Sequence, residues 1–361
     1  MTTVTSSQTG AYVGSGTALA GYTTLRLGGP AARFVTARRS AEVVAAVRAA
    51  DTAGEPLLVL GGGSNLVIAD EGFDGTVVRI ATTGVGYDRL GDGSVQLTVE
   101  AGMDWDATVA RTVAEDLGGL ECLSGIPGLA GATPVQNVEA YGVGVSDLLV
   151  SVDLLDRRSG QVRTVAADAL GLAYRTSVLK GTDSAVVLRV RFVLADGGRS
   201  APIRYAELAR VLDVPIGTRV PVAEARAAVL QLRRGKGMVL DQADKDTWSA
   251  GSFFTNPVLS DDELAAVRAR WDGPAMPTYP AGPGRTKLSA AWLIERSGFG
   301  KGHPGPGGRV ALSGKHTLAL TNRGDGTTAD LLALAREVAD GVRARFGIRL
   351  RPEPVLVGCS L

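Results

Sequence analysis

Residues 124–142 read SGIPGLAGATPVQNVEAYG, a stretch dense in residues that let a backbone approach a ligand closely. An earlier glycine loop, LGGGSN at 60–65, follows the apolar run at 57–60; it is the first glycine loop of the chain, and 124–142 is the second. Successive backbone N–H groups without obstructing side chains suit the cradling of a pyrophosphate. LGGGSN alone is explained equally well by a tight turn. Two such loops in one domain favour a large cofactor that carries phosphates.

The LGGGSN loop does not fit a Rossmann fingerprint. That motif requires a helix to begin at the glycines and an acidic residue about 20 positions later. Residues 66–80, LVIADEGFDGTVVRI, predict a turn and a strand instead. A doubly wound dinucleotide-binding fold is therefore rejected.

The periodicity of apolar residues predicts an α+β protein with mixed sheets, because the regular alternation of a βαβ fold is missing. Ser40 is expected to cap a helix that Gly54 ends. Ser260 and Glu263 form a capping box, and Thr328 opens the strongest helix. Strands are predicted at 57–60, 95–99, 150–155, 161–165 and 185–194, helices also at 105–117, 260–270 and 287–297, and a long loop at 273–284.

Composition excludes several classes of function. The 361 residues carry 38 Lys+Arg against 37 Asp+Glu, so no global field draws the protein to nucleic acid or an anionic membrane. No signal peptide or apolar stretch of membrane-spanning length is recognised, which predicts a cytoplasmic protein without membrane contact. Cys122 and Cys359 are expected to be reduced, and with only two histidines no metal site is expected.

Seven motifs together resemble a known flavoprotein family. TTLRLGGPA (23–31), LGGGSN, SGIPGLAGATPVQN and AYG (140–142) resemble the FAD domain of vanillyl-alcohol-oxidase-type (PCMH-type) proteins. YRTS (174–177), GSFFTNP (251–257) and RPEP (351–354) are similar to motifs of the UDP-N-acetylenolpyruvoylglucosamine reductases, the MurB family. The insertion at 258–286 and Tyr205 resemble the type I branch of that family.

This resemblance implies a domain order. Residues 1–20 are predicted to be a disordered lead-in, and 21–200 an FAD-binding domain with subdomains at about 21–85 and 86–200. A substrate-binding α+β domain would follow at 201–350, and the segment 351–361 would carry a catalytic Glu. A monomer is expected.

The resemblance also implies the ligands. FAD would bind noncovalently, since neither glycine loop contains His or Cys, and NADPH would be the hydride donor. The substrate would be a small UDP-sugar, UDP-N-acetylglucosamine enolpyruvate, whose reduction gives UDP-N-acetylmuramate for peptidoglycan. The predicted cofactor-binding residues are Leu60, Gly61, Gly62, Gly63, Ser64, Asn65, Leu66, Ser124, Gly125, Ile126, Pro127, Gly128, Gly131, Ala132, Gln136, Asn137, Tyr141 and Gly142.

The family's catalytic Arg, Ser and Glu correspond to Arg175, Ser252 and Glu353. Hydride from FAD to C3 of the enolpyruvyl group would leave an enolate, which a planar, permanently charged guanidinium can stabilise at the carboxylate. Arg175 and Glu353 would share that task, while Ser252 would deliver a proton to C2. Singly, these could be a solvated arginine, a terminal glutamate and a turn serine. Their joint occurrence in matching motifs favours catalysis.

Four further residues are predicted to bind substrate. Tyr205 would close over the UDP-sugar, although a core aromatic is the alternative. Lys236 would meet the diphosphate or be merely solvated, Asn256 belongs to its motif, and His316 would lie at the substrate edge or pack internally. Glu139 stands where the family usually has Gly; if that position needs a positive φ, it costs about 1 kcal/mol.

Two other functions remain open from the sequence. An oxidase of a sugar or alcohol would keep the FAD domain, but such relatives often tether the flavin through His or Cys. A flavin-free nucleotide-sugar-binding protein with a decayed site is the second possibility. The intact Arg175, Ser252 and Glu353 argue against it.

Overall fold

The computed structural model describes residues 5–6 and 12–361. The strands are β1 Thr5–Ser6, β2 Tyr12–Gly14, β3 Thr17–Ala18, β4 Pro30–Ala37, β5 Leu57–Leu60, β6 Leu66–Ile68, β7 Phe73–Ile80, β8 Val85–Leu90, β9 Ser94–Glu100, β10 Glu139–Ala140, β11 Val143–Gly144, β12 Leu149–Asp156, β13 Val162–Ala166, β14 Ala185–Ala195, β15 Val258–Ser260, β16 Thr278–Pro280, β17 Arg285–Leu288, β18 Val310–Leu312, β19 Leu320–Asn322 and β20 Val355–Val357. The α-helices are α1 Ser40–Ala53, α2 Trp105–Ala114, α3 Ala206–Leu212, α4 Val222–Gly235, α5 Asp261–Arg268, α6 Ala290–Arg296 and α7 Thr328–Phe346.

The chain forms two compact units. Unit 1 comprises the described residues up to Thr17 together with Ala31–Gly62 and Phe73–Val239, and unit 2 comprises Ala18–Pro30, Gly63–Gly72 and Leu240–Leu361. The predicted α+β class with mixed sheets is confirmed by parallel and antiparallel pairings in both units.

Unit 1 contains two main sheets. In the first, β4, β7 and β5 run parallel, with β2 antiparallel at the edge of β4. The second is antiparallel, in the order β13-β12-β14-β9-β8. Val43 and Val47 of α1 are fully buried in a core that also takes in Val78 and Leu155, one from each sheet. This packing makes the two sheets one structural unit.

Unit 2 is built around α7, the longest helix. Thr327 caps it through Asp330 in a capping box, and Gly347 ends it in the left-handed conformation. Leu331 and Val338 of its apolar face are fully buried against small antiparallel sheets and α6. Because the face is continuous, this helix was predicted correctly.

The predicted disordered lead-in, residues 1–20, lies only partly within the described residues. Residues 1–4 and 7–11 lie outside the described part of the chain. Among the described residues, Thr5–Ser6 pair with Tyr12 and Val13, and β2 pairs with β4.

The domain boundaries also differ from the predicted ones. Residues 201–239 belong to unit 1, because Ile203, Leu208 and Val229 lie in the core that contains Leu120 and Leu123. Two short segments, Ala18–Pro30 and Gly63–Gly72, belong to unit 2 rather than to an uninterrupted FAD domain. An amphipathic pattern predicts that one face of a helix is buried, but it does not predict which hydrophobic core that face packs against.

Several predicted helix limits were wrong. Ser40 does not cap α1: its Oγ donates to Glu100, 2.8 Å away, and Glu42 accepts the Arg38 N–H instead. Helix α2 ends at Ala114. The segment 285–288 is a strand preceding α6, and α3 and α4 were not predicted.

Candidate active site

The two glycine loops touch each other in unit 1. A Cβ added to Gly62 would lie 2.7 Å from the Cα of Gly128, which no side chain tolerates. A Cβ on Gly61 would make an ordinary 3.7 Å contact with Leu129. Gly62 is therefore required for the direct backbone packing of one loop on the other.

Charged side chains hold the second loop in place. The Gly125 N–H donates to Asp106 at 2.6 Å, and Arg226 binds both oxygens of the same carboxylate at 2.6 and 3.0 Å. Arg233 Nη2 donates to the Gly125 carbonyl oxygen at 3.3 Å. The Gly125 peptide is thus bound on both sides by the protein, so its N–H is not available for a phosphate.

The segment that carries Arg175 is docked on the second loop. Ala173 and Thr176 exchange backbone hydrogen bonds around a tight turn, in which Arg175 has a φ of 54°. Asn137 Nδ2 donates to the Ala173 carbonyl at 3.1 Å, and Ser177 Oγ donates to the carbonyl of Val135 at 2.6 Å. The left-handed backbone is a strained conformation that the neighbouring hydrogen bonds maintain.

Glu139 does not carry the conformational cost considered above. It lies in β10, paired with Gly144, in extended backbone. The left-handed residues of this segment are Asn137, Tyr141 and Gly142, with φ of 46°, 51° and 80°. A glutamate is accommodated at position 139 without strain.

Tyr141 and Tyr205 form an aromatic pair beside a charged cluster. Their ring centroids are 5.4 Å apart with perpendicular planes, and Tyr205 immediately precedes α3 with 45% of its surface exposed. Burial raises the pKa of Tyr141 to about 12. Lys236 donates to Glu207 at 2.6 Å. Tyr205 is not a core aromatic, and Lys236 is ion-paired rather than only solvated.

In unit 2, the end of the first glycine loop meets the C-terminal motif. Gly63 has a φ of 60°, and a Cβ there would lie 2.0 Å from the Tyr22 carbonyl oxygen. The Val355 N–H donates to the Asn65 carbonyl at 2.9 Å, which starts the parallel pairing of β20 with β6. These contacts bring residues 63–66 beside the RPEP segment.

The segments of Ser252 and Glu353 are also paired in unit 2. The Glu353 N–H donates to the Phe253 carbonyl at 2.8 Å, and Thr255 N–H donates to Arg351 at 3.0 Å. Phe253 is buried and anchors this pairing. The structure therefore places the predicted Ser and Glu on adjacent extended segments.

Asn256 and His316 have structural contacts of their own. Asn256 Oδ1 accepts the Ala290 N–H at 2.9 Å, in the first turn of α6. The His316 N–H donates to Ser313 at 3.3 Å, and His316 is half-buried. The Asn256 amide oxygen thus caps the start of α6, and its NH₂ group is the part of the side chain that can donate to a ligand.

Comparison with known proteins agrees with this arrangement. A family model described as an FAD-binding domain matches residues 31–166, and one described as the UDP-N-acetylenolpyruvoylglucosamine reductase C-terminal domain matches residues 242–357. The UDP-N-acetylenolpyruvoylglucosamine reductase of Saccharopolyspora erythraea is 72% identical over 98% of both chains. That of Nocardia farcinica is 59% identical over 98% of this chain and 92% of its own.

The chain belongs to the UDP-N-acetylenolpyruvoylglucosamine reductase family. It is accordingly an FAD-dependent oxidoreductase. The crystal structure of the family member from Thermus caldophilus covers 99% of this chain and 100% of its own, with a TM-score of 0.64 and 24% identity. That similarity shows a shared fold.

The residues of the second loop fit the family's FAD. Several left-handed residues turn its backbone, and successive main-chain N–H groups in turns of this kind can form a concave site for an anion. Ser124 contributes no side chain, because its buried hydroxyl donates to the Glu121 carbonyl at 2.6 Å. A Cβ on Gly131 would lie 2.4 Å from the Ala101 Cβ, so this glycine serves packing. Any cofactor contact at these two positions is made by backbone.

Exposure separates the predicted cofactor residues. The buried ones are Leu60, Gly63, Ser124, Gly125, Gly131 and Asn137; the half-buried ones are Gly61, Gly62, Ser64, Asn65, Leu66, Ile126, Pro127, Gly128, Gln136, Tyr141 and Gly142; Ala132 is exposed.

The sequence did not predict three charged residues that position the second loop: Asp106, Arg226 and Arg233. A charged residue on an amphipathic helix gives no sequence signal that identifies its partner.

Other kinds of site were searched for in the same residues. The described residues contain no group of three or more His, Cys, Asp or Glu side chains that could hold a metal ion. Across the same part of the chain, no helix is both long enough and apolar enough to cross a membrane.

Proposed function

We propose that this chain reduces UDP-N-acetylglucosamine enolpyruvate to UDP-N-acetylmuramate, with NADPH as reductant, in peptidoglycan precursor synthesis. The observation that carries the proposal is the 72% identity to the Saccharopolyspora erythraea reductase over nearly the whole of both chains. The intact motifs around Arg175, Ser252 and Glu353 support it.

Bound FAD would receive hydride from NADPH and supply it to C3 of the enolpyruvyl group. We infer that the flavin is held without a covalent bond. Cys122 is the nearest cysteine in sequence to either glycine loop; it is fully buried, and burial raises the pKa of its thiol to about 12. A thiol that stays protonated is not a nucleophile at neutral pH. Acid precipitation should release all the flavin into solution.

Arg175 would bind the substrate carboxylate. After hydride addition at C3, negative charge moves through C2 onto this group, and a guanidinium meets two carboxylate oxygens at once. The turn at Ala173–Thr176 supports this role, because hydrogen bonds from Asn137 and Ser177 fix the backbone from which Arg175 extends. Preorganisation of this kind avoids reorganisation during the reaction.

Ser252 would donate its hydroxyl proton to C2 and regain a proton from solvent. The sum of the two steps adds one hydride and one proton across the double bond. Glu353 would act at the developing enolate. The backbone pairing of Glu353 with Phe253 supports a shared task for the two side chains, since it holds their segments side by side.

Four residues would bind the UDP-sugar. Tyr205, half-exposed next to Tyr141, is suited to covering a ligand, and Lys236 could exchange Glu207 for a phosphate. Asn256 would use its NH₂ group. His316 would lie at the substrate edge.

A half-reaction experiment tests the proposal. The flavin of the purified protein is reduced anaerobically with one equivalent of NADPH, and UDP-N-acetylglucosamine enolpyruvate is then added. Rapid return of the oxidised flavin spectrum with formation of UDP-N-acetylmuramate is expected. UDP-N-acetylglucosamine, which lacks the double bond, is the control and should leave the flavin reduced. Reoxidation by neither compound would contradict the proposed substrate.

A further inference from the structure

Lys236 follows the last residue of α4, where backbone hydrogen bonds fix its main chain. The Lys236 N–H donates to the Arg233 carbonyl at 3.1 Å, and the Met238 N–H donates to the same carbonyl at 2.9 Å. Gly237, between them, has a φ of 64°, so the chain reverses sharply at the end of the helix. Only the flexible four-carbon side chain of Lys236 can therefore change its partner.

The Lys236 ammonium is paired with Glu207 in the first turn of α3. The Nζ–Oε2 distance is 2.6 Å, with 38% of the lysine side chain and 31% of the glutamate side chain exposed. Both charged groups are thus partly hydrated, and an ion pair of this kind adds little to the stability of the fold. The pair can consequently be opened by a competing anion.

Glu207 also lies next to the tyrosine that is proposed to cover the UDP-sugar. Helix α3 begins directly after Tyr205, whose ring contacts that of Tyr141 with centroids 5.4 Å apart. One end of the ion pair is therefore two residues from Tyr205, and the other end is the proposed partner of the diphosphate. The carboxylate occupies the cation that the substrate would need.

A diphosphate that reaches Lys236 meets Glu207 in either of two ways. If the carboxylate leaves, the ion pair must first be broken. If the carboxylate stays, two anions share one ammonium, and like charges at such short range disfavour each other. Both routes weaken the binding of the diphosphate relative to a lysine that has no acidic partner.

We propose that Glu207 is a specificity-determining residue that competes with the substrate diphosphate for Lys236. This inference rests on the proposed function, in which Lys236 binds the diphosphate. Substrate and product carry the same diphosphate, so Glu207 would weaken the binding of both alike. Weaker uniform binding raises KM without slowing the chemical step, and it favours release of the product.

Titration calorimetry on the FAD-containing protein, with UDP-N-acetylglucosamine as the probe, tests this inference. Kd should fall about 2–5-fold in Glu207→Gln, which is the cost of breaking one partly exposed ion pair. Kd should rise in Lys236→Met. Added salt should weaken the binding more in Glu207→Gln than in the parent, because the variant binds the diphosphate with an uncompensated cation. Glu224→Gln, exposed in the first turn of α4, removes the same charge elsewhere and is the matched control.

Glu207→Ala provides a second variant in case the glutamine variant loses FAD, and it should also bind the probe more tightly than the parent. An unchanged or weaker affinity in whichever variant retains FAD would overturn the inference. So would an equal gain in affinity for uridine, which has no phosphate for Glu207 to oppose.

The same titrations separate this inference from the proposed function. A parent that does not bind UDP-N-acetylglucosamine would contradict both. A parental Kd in Lys236→Met would contradict the assignment of Lys236 and this inference with it. Weaker binding in Lys236→Met, together with a parental Kd in the Glu207 variants, would contradict this inference alone.

Discussion

The backbone N–H of Glu353 donates a 2.8 Å hydrogen bond to the carbonyl oxygen of Phe253, the residue after Ser252. Two motifs that are far apart in sequence are thereby joined by main-chain atoms. Phe253 and Phe254 on the same segment are almost fully buried, so the pairing has its own packing support. Substituting the Ser252 or Glu353 side chain should leave this backbone arrangement intact.

Ser252→Ala should retain FAD and its reduction by NADPH but lose most reduction of the enolpyruvyl substrate. The serine proton is needed only after hydride has moved, and loss of one acid–base group typically costs about 10²–10⁴-fold. Separate stopped-flow measurement of the two half-reactions checks this. Thr255→Val on the same segment is the control. A Ser252→Ala rate within about threefold of the parent would remove Ser252 from the mechanism.

Arg175→Lys should be nearly as damaging to kcat/KM as Arg175→Ala. An ammonium is a point charge and cannot reproduce the bidentate fork. Because Arg175 has a φ of 54°, lysine and alanine inherit the same backbone strain, and their melting temperatures should agree. Recovery of most activity by lysine would show that charge alone is sufficient.

Tyr205→Phe should raise KM for the UDP-sugar about 10–100-fold with little change in kcat, as expected when uniform binding is lost. The ring contact with Tyr141 is kept, and the side chain is 45% exposed, so the melting temperature should not fall. Tyr279→Phe, an exposed tyrosine in unit 2, is the control. Reduced stability with parental KM would instead indicate a structural tyrosine.

Gly62→Ala should abolish FAD retention, whereas Gly61→Ala should be tolerated. The added methyl at position 62 meets Gly128 backbone at 2.7 Å and must push the loops apart, while at position 61 it meets only Leu129 at 3.7 Å. The flavin-to-protein absorbance ratio after purification measures the difference. Equal flavin content in both variants would show that the loops can separate without affecting the cofactor.

Asp330→Asn should destabilise unit 2 in a pH-dependent way. A bidentate bond from Arg309, with the Thr327 N–H, lowers the pKa of Asp330 from 3.8 to about 2. The folded state thus stabilises the ionised form of Asp330. Its contribution to the free energy of unfolding is complete above about pH 4 and is lost as pH falls through about 2. Since Arg309 is nearly half exposed, about 1–2 kcal/mol is expected at pH 7.

Urea unfolding at pH 7, 4 and 2.5 measures this effect. The difference in free energy of unfolding between the parent and Asp330→Asn should narrow only at the lowest pH. Asp340→Asn, exposed on the same helix, should unfold like the parent throughout. A difference that does not vary with pH would show that the carboxylate charge is not the stabilising element.

The helix caps and helix ends were predicted best, because the residues that determine them are close together in the sequence. The capping box of Ser260 and Glu263 forms as expected, and Gly54 and Gly347 end their helices in the left-handed conformation. The Ser40 cap failed because the hydroxyl found a tertiary partner, Glu100, that no local pattern shows.

The sequence by itself determined the fold class, the family and the motif residues, because glycine loops, helix caps and motif spacings are properties of neighbouring residues. Only the tertiary structure decided that Asp106 accepts the Gly125 N–H while Arg233 donates to the Gly125 carbonyl. It also decided that the Glu353 N–H bonds to the Phe253 carbonyl. It also decided that residues 201–239 belong to unit 1. Such contacts join residues far apart along the chain, and they depend on how apolar faces combine into a core, which local residue patterns do not encode.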